Sequence, residues 1–251
     1  MPRLSVTIIA QDEARRIGEV LDAIRCADEV LVVDGGSVDE TREICRARGA
    51  RVLERRFDGF AAQKRFAAAQ ASHDWILNLD ADEVMTPELN EEVRELMARD
   101  ELPEAAFFVP MRLVFMGRVF RHGHESRVPK LRFFDRRRAE YADKEVHEHI
   151  VPHGPTGRLR HHGLHYSYRD LSHWVEKMNR YTTLGARSLA RRGARRSLLR
   201  LLFTGPVHFV QEWIFRGNFL EGVPGLCWSM LAGVARVVKY MKHWEGGAGG
   251  A

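Results

Sequence analysis

Through residue 100 the chain alternates four times between short apolar, β-branched runs and amphipathic segments, and few architectures accept that order. SVTIIA (5–10) is continuously apolar, the mark of a strand covered on both faces. Residues 13–25 follow with Ile17, Val20, Leu21 and Ile24 at helical spacing. EVLVVD (29–34) reads as a second strand, GGS as a turn, and TREICRARG (41–49) as a helix ended by Gly49. ARVLE (50–54) is a third strand, QKRFAAAQA (63–71) a helix and DWILNLD a fourth strand. Such alternation predicts an α/β fold with a parallel sheet and right-handed crossovers.

Ligands of such sheets sit at the carboxyl ends of the strands. Gln11, Asp12 and Glu13 end the first strand, Asp34 the second, and Asp80 and Asp82 the fourth. Three carboxylates within four positions (Asp80, Asp82, Glu83) repel one another, and a core has no use for them. Two carboxylates one residue apart on an extended segment present oxygens to a hard divalent cation. Mg²⁺ or Mn²⁺ held in that way also takes substrate phosphates as ligands. The competing reading is a solvated turn with an aspartate capping the helix near Pro87.

Charge divides the chain. Residues 1–100 carry a net of −7 and the remainder +12, which suggests a polyanionic or membrane partner for the second half. Cys26, Cys45 and Cys227 form no metal spacing and suit a reducing compartment. The apolar run near the N-terminus is too short for a signal peptide and meets acidic residues at once, which points to the cytoplasm. Nine of twelve histidines lie between His122 and His173. A zinc site among His147, His149, His161, His162 and His165 has no helix-borne His-x-x-x-His or cysteine partner to support it.

SVTIIAQDEARRI, EVLVVDGGSVDET and FAAQKRFAAAQASHDWILNLDADE resemble the nucleotide-sugar half of family 2 glycosyltransferases with the GT-A fold. LRFFDRRR, KEVHEHI, LHYSYRD, FLEGVPGL and KYMK resemble its bacterial lipopolysaccharide-core β-1,4-glucosyltransferase branch. That branch usually shows Asn-Glu-Glu after its first strand, where this chain has Gln11-Asp12-Glu13. The resemblance implies a Rossmann-like, mostly parallel sheet with flanking helices over residues 1–168, followed by a basic, membrane-associating helical tail over 169–251. Within the first part, 1–100 would bind the nucleotide sugar and 101–168 the acceptor. Ala10, Gln11, Glu13 and Asp34 would line the base and ribose pocket, and Lys64 or Arg65 would approach the nucleotide. Asp80 would face the ribose and metal, and Asp82 would bind Mg²⁺ or Mn²⁺. In this fold a late histidine often completes the metal shell, and His165 fits that place.

An inverting transfer also needs a carboxylate that takes the acceptor's proton. Asp143, Glu145 and Glu148 are the candidates, with Glu148 preferred and His147 on the acceptor side. The implied activity is transfer of a hexose, glucose by the branch resemblance, from a UDP-sugar to a lipid-linked saccharide. Transfer to a polyprenyl phosphate and a non-enzymatic protein binding nucleotide or anionic lipid are the alternatives. From Lys177 to Gln211 there is no acidic residue and there are eight Lys and Arg, ahead of Trp-, Phe- and Leu-rich stretches broken by Glu221, Pro224 and Arg236. No clean span of about twenty apolar residues exists. The pattern predicts helices lying at an anionic membrane surface, with the protein peripheral on the cytoplasmic face of the inner membrane. A soluble helical bundle is the other reading. A nucleic-acid patch would account for the arginines but not for the aromatic helices beyond them.

Overall fold

The computed structural model describes residues 2–142 and 149–246. In chain order the first elements are β1 (Leu4–Ala10), α1 (Ile17–Asp22), β2 (Glu29–Asp34), α2 (Thr41–Ala47), β3 (Arg51–Glu54), α3 (Phe60–Gln70) and β4 (Trp75–Asp80). Then come β5 (Glu83–Val84), α4 (Pro87–Met97), β6 (Ala106–Val109), β7 (Met111–Phe115), β8 (Arg118–Val119), α5 (His124–Arg127) and β9 (Lys130–Asp135). After β10 (Ala139–Tyr141), β11 (Ile150–Pro152), β12 (Thr156–Arg158) and β13 (Gly163–His165) the chain turns helical: α6 (Leu171–Arg191), α7 (Leu198–Val210) and α8 (Val223–Glu245). Two compact units result. One is Met1–Arg112 with Val128–His165, the other Leu113–Arg127 with Tyr166–Ala251. The excursion 113–127, which the sequence reading groups with 101–168, thus belongs with the helices.

The first unit is built on a seven-stranded sheet of order β12-β6-β9-β4-β1-β2-β3 among the described residues. β3, β2, β1 and β4 run parallel, as the alternating pattern predicts, and β9 runs antiparallel to both β4 and β6. All seven residues of β1 are buried, so this central strand is covered on both faces. Trp75, Phe107 and Phe133 stack on neighbouring strands with ring centroids 5.0–6.1 Å apart. The first predicted helix is shorter than its periodicity suggests: α1 starts only at Ile17, since residues 11–16 make the turn over the sheet edge. The second ends as expected, with Gly49 at a φ of 77°. Register places the polar strand ends together. Ala10 lies opposite Asp34, and Ile9 opposite Asp80, so they come out at one edge.

In the second unit α7 packs on α8 through two glycines. A methyl group at Gly205 would meet Val237 Cγ2 at 2.6 Å, and one at Gly233 would meet the Gly205 carbonyl at 3.0 Å. A side chain at either position would push the helices apart. Lys242 Nζ ties α8 to α6 by donating to Asn179 Oδ1 (2.6 Å), Thr182 Oγ1 (2.9 Å) and Thr183 Oγ1 (2.8 Å). Phe115 and Phe120 of the excursion meet Trp228 edge-on, at 5.3 and 6.4 Å. Glu221 pins the same excursion. Its carboxylate is 1% exposed and accepts from Arg118 Nε (2.8 Å), the Arg121 and His122 backbone N–H groups (2.7 and 2.9 Å) and His122 Nδ1 (2.9 Å). This is the physical content of the FLEG motif.

Burial alone would raise the Glu221 pKa, but Arg118, Arg121 and His122 outweigh it and bring it from 4.5 down to about 2. A depressed carboxylate stabilises the fold fully above its unfolded value, and that stability is lost as pH falls from about 4.5 to about 2. Glu221→Gln should therefore lower stability at neutral pH by roughly 1–3 kcal/mol and flatten the acid side of the unfolding curve. Thermal unfolding of both proteins from pH 7 down to pH 3 checks this; parallel curves would remove Glu221 from that role.

Candidate functional site

The loops that leave β1 and β2 are bound to each other. Asp34 is fully buried; its Oδ2 accepts from the backbone of Gly36 (3.0 Å) and Ser37 (2.9 Å), and its Oδ1 from the Ser37 hydroxyl. Gly36 needs its φ of 101°, which a side chain would oppose. Ser37 Oγ in turn accepts from the Asp12 N–H at 3.0 Å, and Asp12 Oδ1 accepts from the Val38 N–H at 2.8 Å. Asp12 sits in the left-handed region with a φ of 55°, a conformation that aspartate tolerates better than most residues. Thr41 Oγ1 accepts from the Glu13 N–H (2.8 Å), and Asp39 from the Ala14 N–H (3.0 Å). Ala10 is buried below, its carbonyl bonded to the Gly35 N–H, and the Gln11 side chain lies against Gly35. Asp34 therefore shapes the turn above the sheet edge, with Ala10, Gln11 and Glu13 around it.

At the end of β4 the carboxylates that puzzle in the sequence divide their tasks. Asp80 Oδ1 lies 2.8 Å from Lys64 Nζ, and its Oδ2 accepts from Arg132 Nη2 at 2.7 Å. Arg132 Nη2 also donates to Glu83 Oε1 at 2.6 Å, and Nη1 reaches Asn78 Oδ1 at 3.3 Å. Glu83 Oε2 accepts from the Asp80 backbone at 3.0 Å. Glu83 is wholly buried, Arg132 6% exposed and Lys64 3% exposed. Burial would raise the Asp80 pKa, yet Arg132 and Lys64 hold it well below the carboxylate range. Burial likewise opposes the Arg132 charge, and Asp80 and Glu83 more than offset it. Of the pair Lys64 and Arg65, only Lys64 points to Asp80; Arg65 is exposed beside Ala68, Ala69 and Phe134.

Asp82 is the carboxylate left out of the Arg132 cluster. β5 pairs antiparallel with β13, His165 opposite Glu83, so His165 comes beside the residue before Glu83. Its Nε2 lies 3.5 Å from Asp82 Oδ1, with both side chains largely covered, at 18% and 24% exposed. Burial works against a charge on the imidazole, but Asp82 outweighs it and raises the His165 pKa. Among the described residues no three His, Cys, Asp or Glu side chains converge on a common point. One carboxylate and one imidazole within reach of a shared point fit a divalent cation that draws its other ligands from phosphate and water. Glu148 and His147, the expected base and its neighbour, lie outside the described residues.

Arg132 escaped the sequence reading as a site residue, although LRFFDRRR is among the motifs. The signal was present: an arginine between Leu131 and the Phe133–Phe134 pair of a buried strand must have carboxylates to meet. The antiparallel pairing of β9 with β4, which places Leu77 opposite Phe133, supplies them.

Comparison with known proteins identifies the family. The family model described as glycosyl transferase family 2 matches residues 5–161. The lipopolysaccharide core biosynthesis glycosyltransferase LpsC of Rhizobium meliloti is 30% identical over 96% of this chain and 92% of its own length. An uncharacterized glycosyltransferase of Rickettsia typhi is 27% identical over 98% of this chain and 88% of its own. Among solved structures, glucosyl-3-phosphoglycerate synthase from Mycobacterium tuberculosis aligns at 25% identity over 44% of each chain, with a TM-score of 0.38, too partial a likeness to bear on the site. By the family match and the full-length similarity to LpsC, the chain belongs to glycosyl transferase family 2 and is a glycosyltransferase.

Proposed function

We propose that the protein is a metal-dependent, inverting hexosyltransferase that moves glucose from a UDP-sugar to a lipid-linked saccharide such as the lipopolysaccharide core. The observation that carries this reading is the Asp82–His165 pair, 3.5 Å apart at the carboxyl edge of the sheet, beside an Asp80 already neutralised by Lys64 and Arg132. LpsC, named for lipopolysaccharide core biosynthesis and similar along nearly the whole chain, favours the saccharide acceptor. The peripheral, cytoplasmic-face placement at the inner membrane belongs to the same reading. No helix among the described residues is long and apolar enough to cross a membrane.

In this mechanism the knitted loops at residues 11–14 and 35–41 line the uracil and ribose, with Asp34 holding their shape. Asp80, fixed on two cations, faces the ribose with its position set. Asp82 and His165 would hold Mn²⁺ or Mg²⁺, which when bound neutralises the diphosphate and makes UDP a better leaving group. Glu148 takes the proton of the acceptor hydroxyl, with His147 beside it. The acceptor oxygen bonds to the anomeric carbon from the face opposite UDP, the bond to the phosphate oxygen breaks, and UDP departs with the electron pair.

A panel of nucleotide sugars tests the donor: UDP-glucose with Mn²⁺ should raise the thermal midpoint most, and protection by a different nucleotide alone would overturn the choice. In calorimetry UDP should bind weakly until Mn²⁺ is added, and Asp82→Asn should lose that enhancement. Equal UDP affinity with and without the ion would remove the metal role.

Glu148→Gln keeps the shape but cannot accept a proton. Transfer should fall about 10²-fold or more while UDP affinity barely moves. If Asp143→Asn or Glu145→Gln is inactive instead, a neighbouring carboxylate is the base.

Arg132→Gln leaves Asp80 and Glu83 short of a buried counter-charge, and chemical denaturation should show a loss of roughly 3–5 kcal/mol. Arg132→Lys should recover only part of it, because an ammonium cannot reproduce the fork to Asn78, Asp80 and Glu83.

A further inference from the structure

The charge division of the sequence sharpens once the compact units are known. Leu113–Arg127 with Tyr166–Ala251 contains sixteen Lys and Arg against six Asp and Glu, a net of +10. Within this unit α7 and the π turn that continues it (Gln211–Phe215) turn two different faces outward and inward. The inward face carries Gly205 and Glu212, both buried within the unit. The outward face carries Leu198, Leu202, Phe203, Val207, Val210 and Ile214, which recur at helical spacing and are 39–62% exposed. Arg191, Arg192, Arg195 and Arg200 gather at its amino-terminal end, all exposed, with no ion-pair partner among the described residues. An apolar stripe of this length open to water is unusual on a soluble surface. Crowding of unpaired arginines at one end says what kind of partner would cover it.

We infer that the outward face of α7 lies flat in an anionic lipid surface, its apolar stripe at the headgroup–acyl boundary and Arg191, Arg192, Arg195 and Arg200 on lipid phosphates. This deepens the peripheral-membrane part of the proposed function and rests on it. The stripe needs a partner with both an apolar layer and a dense array of negative charge, and a bilayer offers the two at adjacent depths. A nucleic acid offers only the second. The stripe runs along the helix rather than around it, so α7 lies in the plane of the surface. The Gly205–Gly233 contact keeps its partner α8 close on the opposite side.

The test is flotation of the full-length protein with vesicles of phosphatidylcholine, alone or mixed with phosphatidylglycerol, at low and high salt. The parent should float with the mixed vesicles, and high salt should weaken that binding without abolishing it. The triple variant Leu202→Ser, Phe203→Ser, Val207→Ser should lose about tenfold or more in vesicle partition at both salt levels. Its unfolding curve should match the parent, because these side chains face outward. The triple variant Arg191→Gln, Arg192→Gln, Arg195→Gln should lose only the low-salt preference for anionic vesicles. A serine variant that floats like the parent overturns the inference. So does a parent that stays with the unbound protein and runs in gel filtration as a dimer that the serine changes dissolve, for then a second copy covers the stripe. UDP calorimetry on the same samples keeps the two readings apart. Flotation without UDP binding sinks the donor assignment alone, UDP binding without flotation of the parent sinks the membrane placement and this inference with it, and a parent that floats together with a serine variant that floats equally sinks this inference alone.

Discussion

A guanidinium buried in a strand is the constraint on which the polar edge of the sheet depends. Arg132 is 6% exposed, and no strand tolerates such a charge unless its neighbours repay the lost hydration. Asp80, Glu83 and Asn78 do so, and Lys64 completes the balance on the far side of Asp80. The consequence reaches past stability. A carboxylate gripped by two cations has one position, so Asp80 and the strand end that bears it are set before any ligand arrives. Glu83, bonded back to the Asp80 N–H, fixes the turn that carries Asp82 to His165. Three adjacent carboxylates thus avoid mutual repulsion by division of labour: two turn in to a shared arginine, and one is left beside a histidine.

That arrangement explains why the parallel half of the fold was legible and part of the site was not. Continuous apolar runs such as VTIIA and ILNL can be satisfied only by strands covered on both faces, and their spacing admits only crossovers between them. The pairing of Ala10 with Asp34 and Ile9 with Asp80 then follows from the alternation. Arg132 was hidden because its partners lie some fifty residues away on a strand that runs antiparallel, and short antiparallel strands carry no periodic signature strong enough to give register. The tie between Glu221 and the 118–122 loop was hidden for the same reason, at a separation of about a hundred residues. His165 was readable by family resemblance alone; the pairing that brings it to Asp82 is only two residues long.

The acidic residues at the strand ends are held in different ways, and their surroundings distinguish them. Asp34 spends its oxygens on Gly36 and Ser37, so its contribution passes through the shape of a loop. Glu13, by contrast, has its backbone N–H held by Thr41, which sets the loop independently of its side chain. The departure at Gln11-Asp12-Glu13 falls where the structure is knit most closely. Asp12 occupies a left-handed conformation and accepts from Val38, two demands that an asparagine or aspartate meets better than a glutamate. The altered triplet is consistent with a loop selected for its turn as much as for its contacts.

The opposite signs of the two units have a physical use beyond solubility. In the proposed reading the sheet edge built on carboxylates meets a nucleotide diphosphate, with Asp80 and Glu83 already balanced by Lys64 and Arg132 and the Asp82–His165 pair positioned to hold a cation. The helical unit has the reverse problem, an excess of arginine with few carboxylates of its own to balance it. Glu212 and Glu221, two of its six acidic residues, are committed to Arg216, Arg118 and His122 inside the unit, so they cannot screen Arg191, Arg192, Arg195 and Arg200. Like charges left clustered on an exposed face cost stability through self-repulsion. A cost of that kind persists where something outside the chain offsets it, and beside an apolar stripe the offset that suits both features is a surface of lipid phosphates.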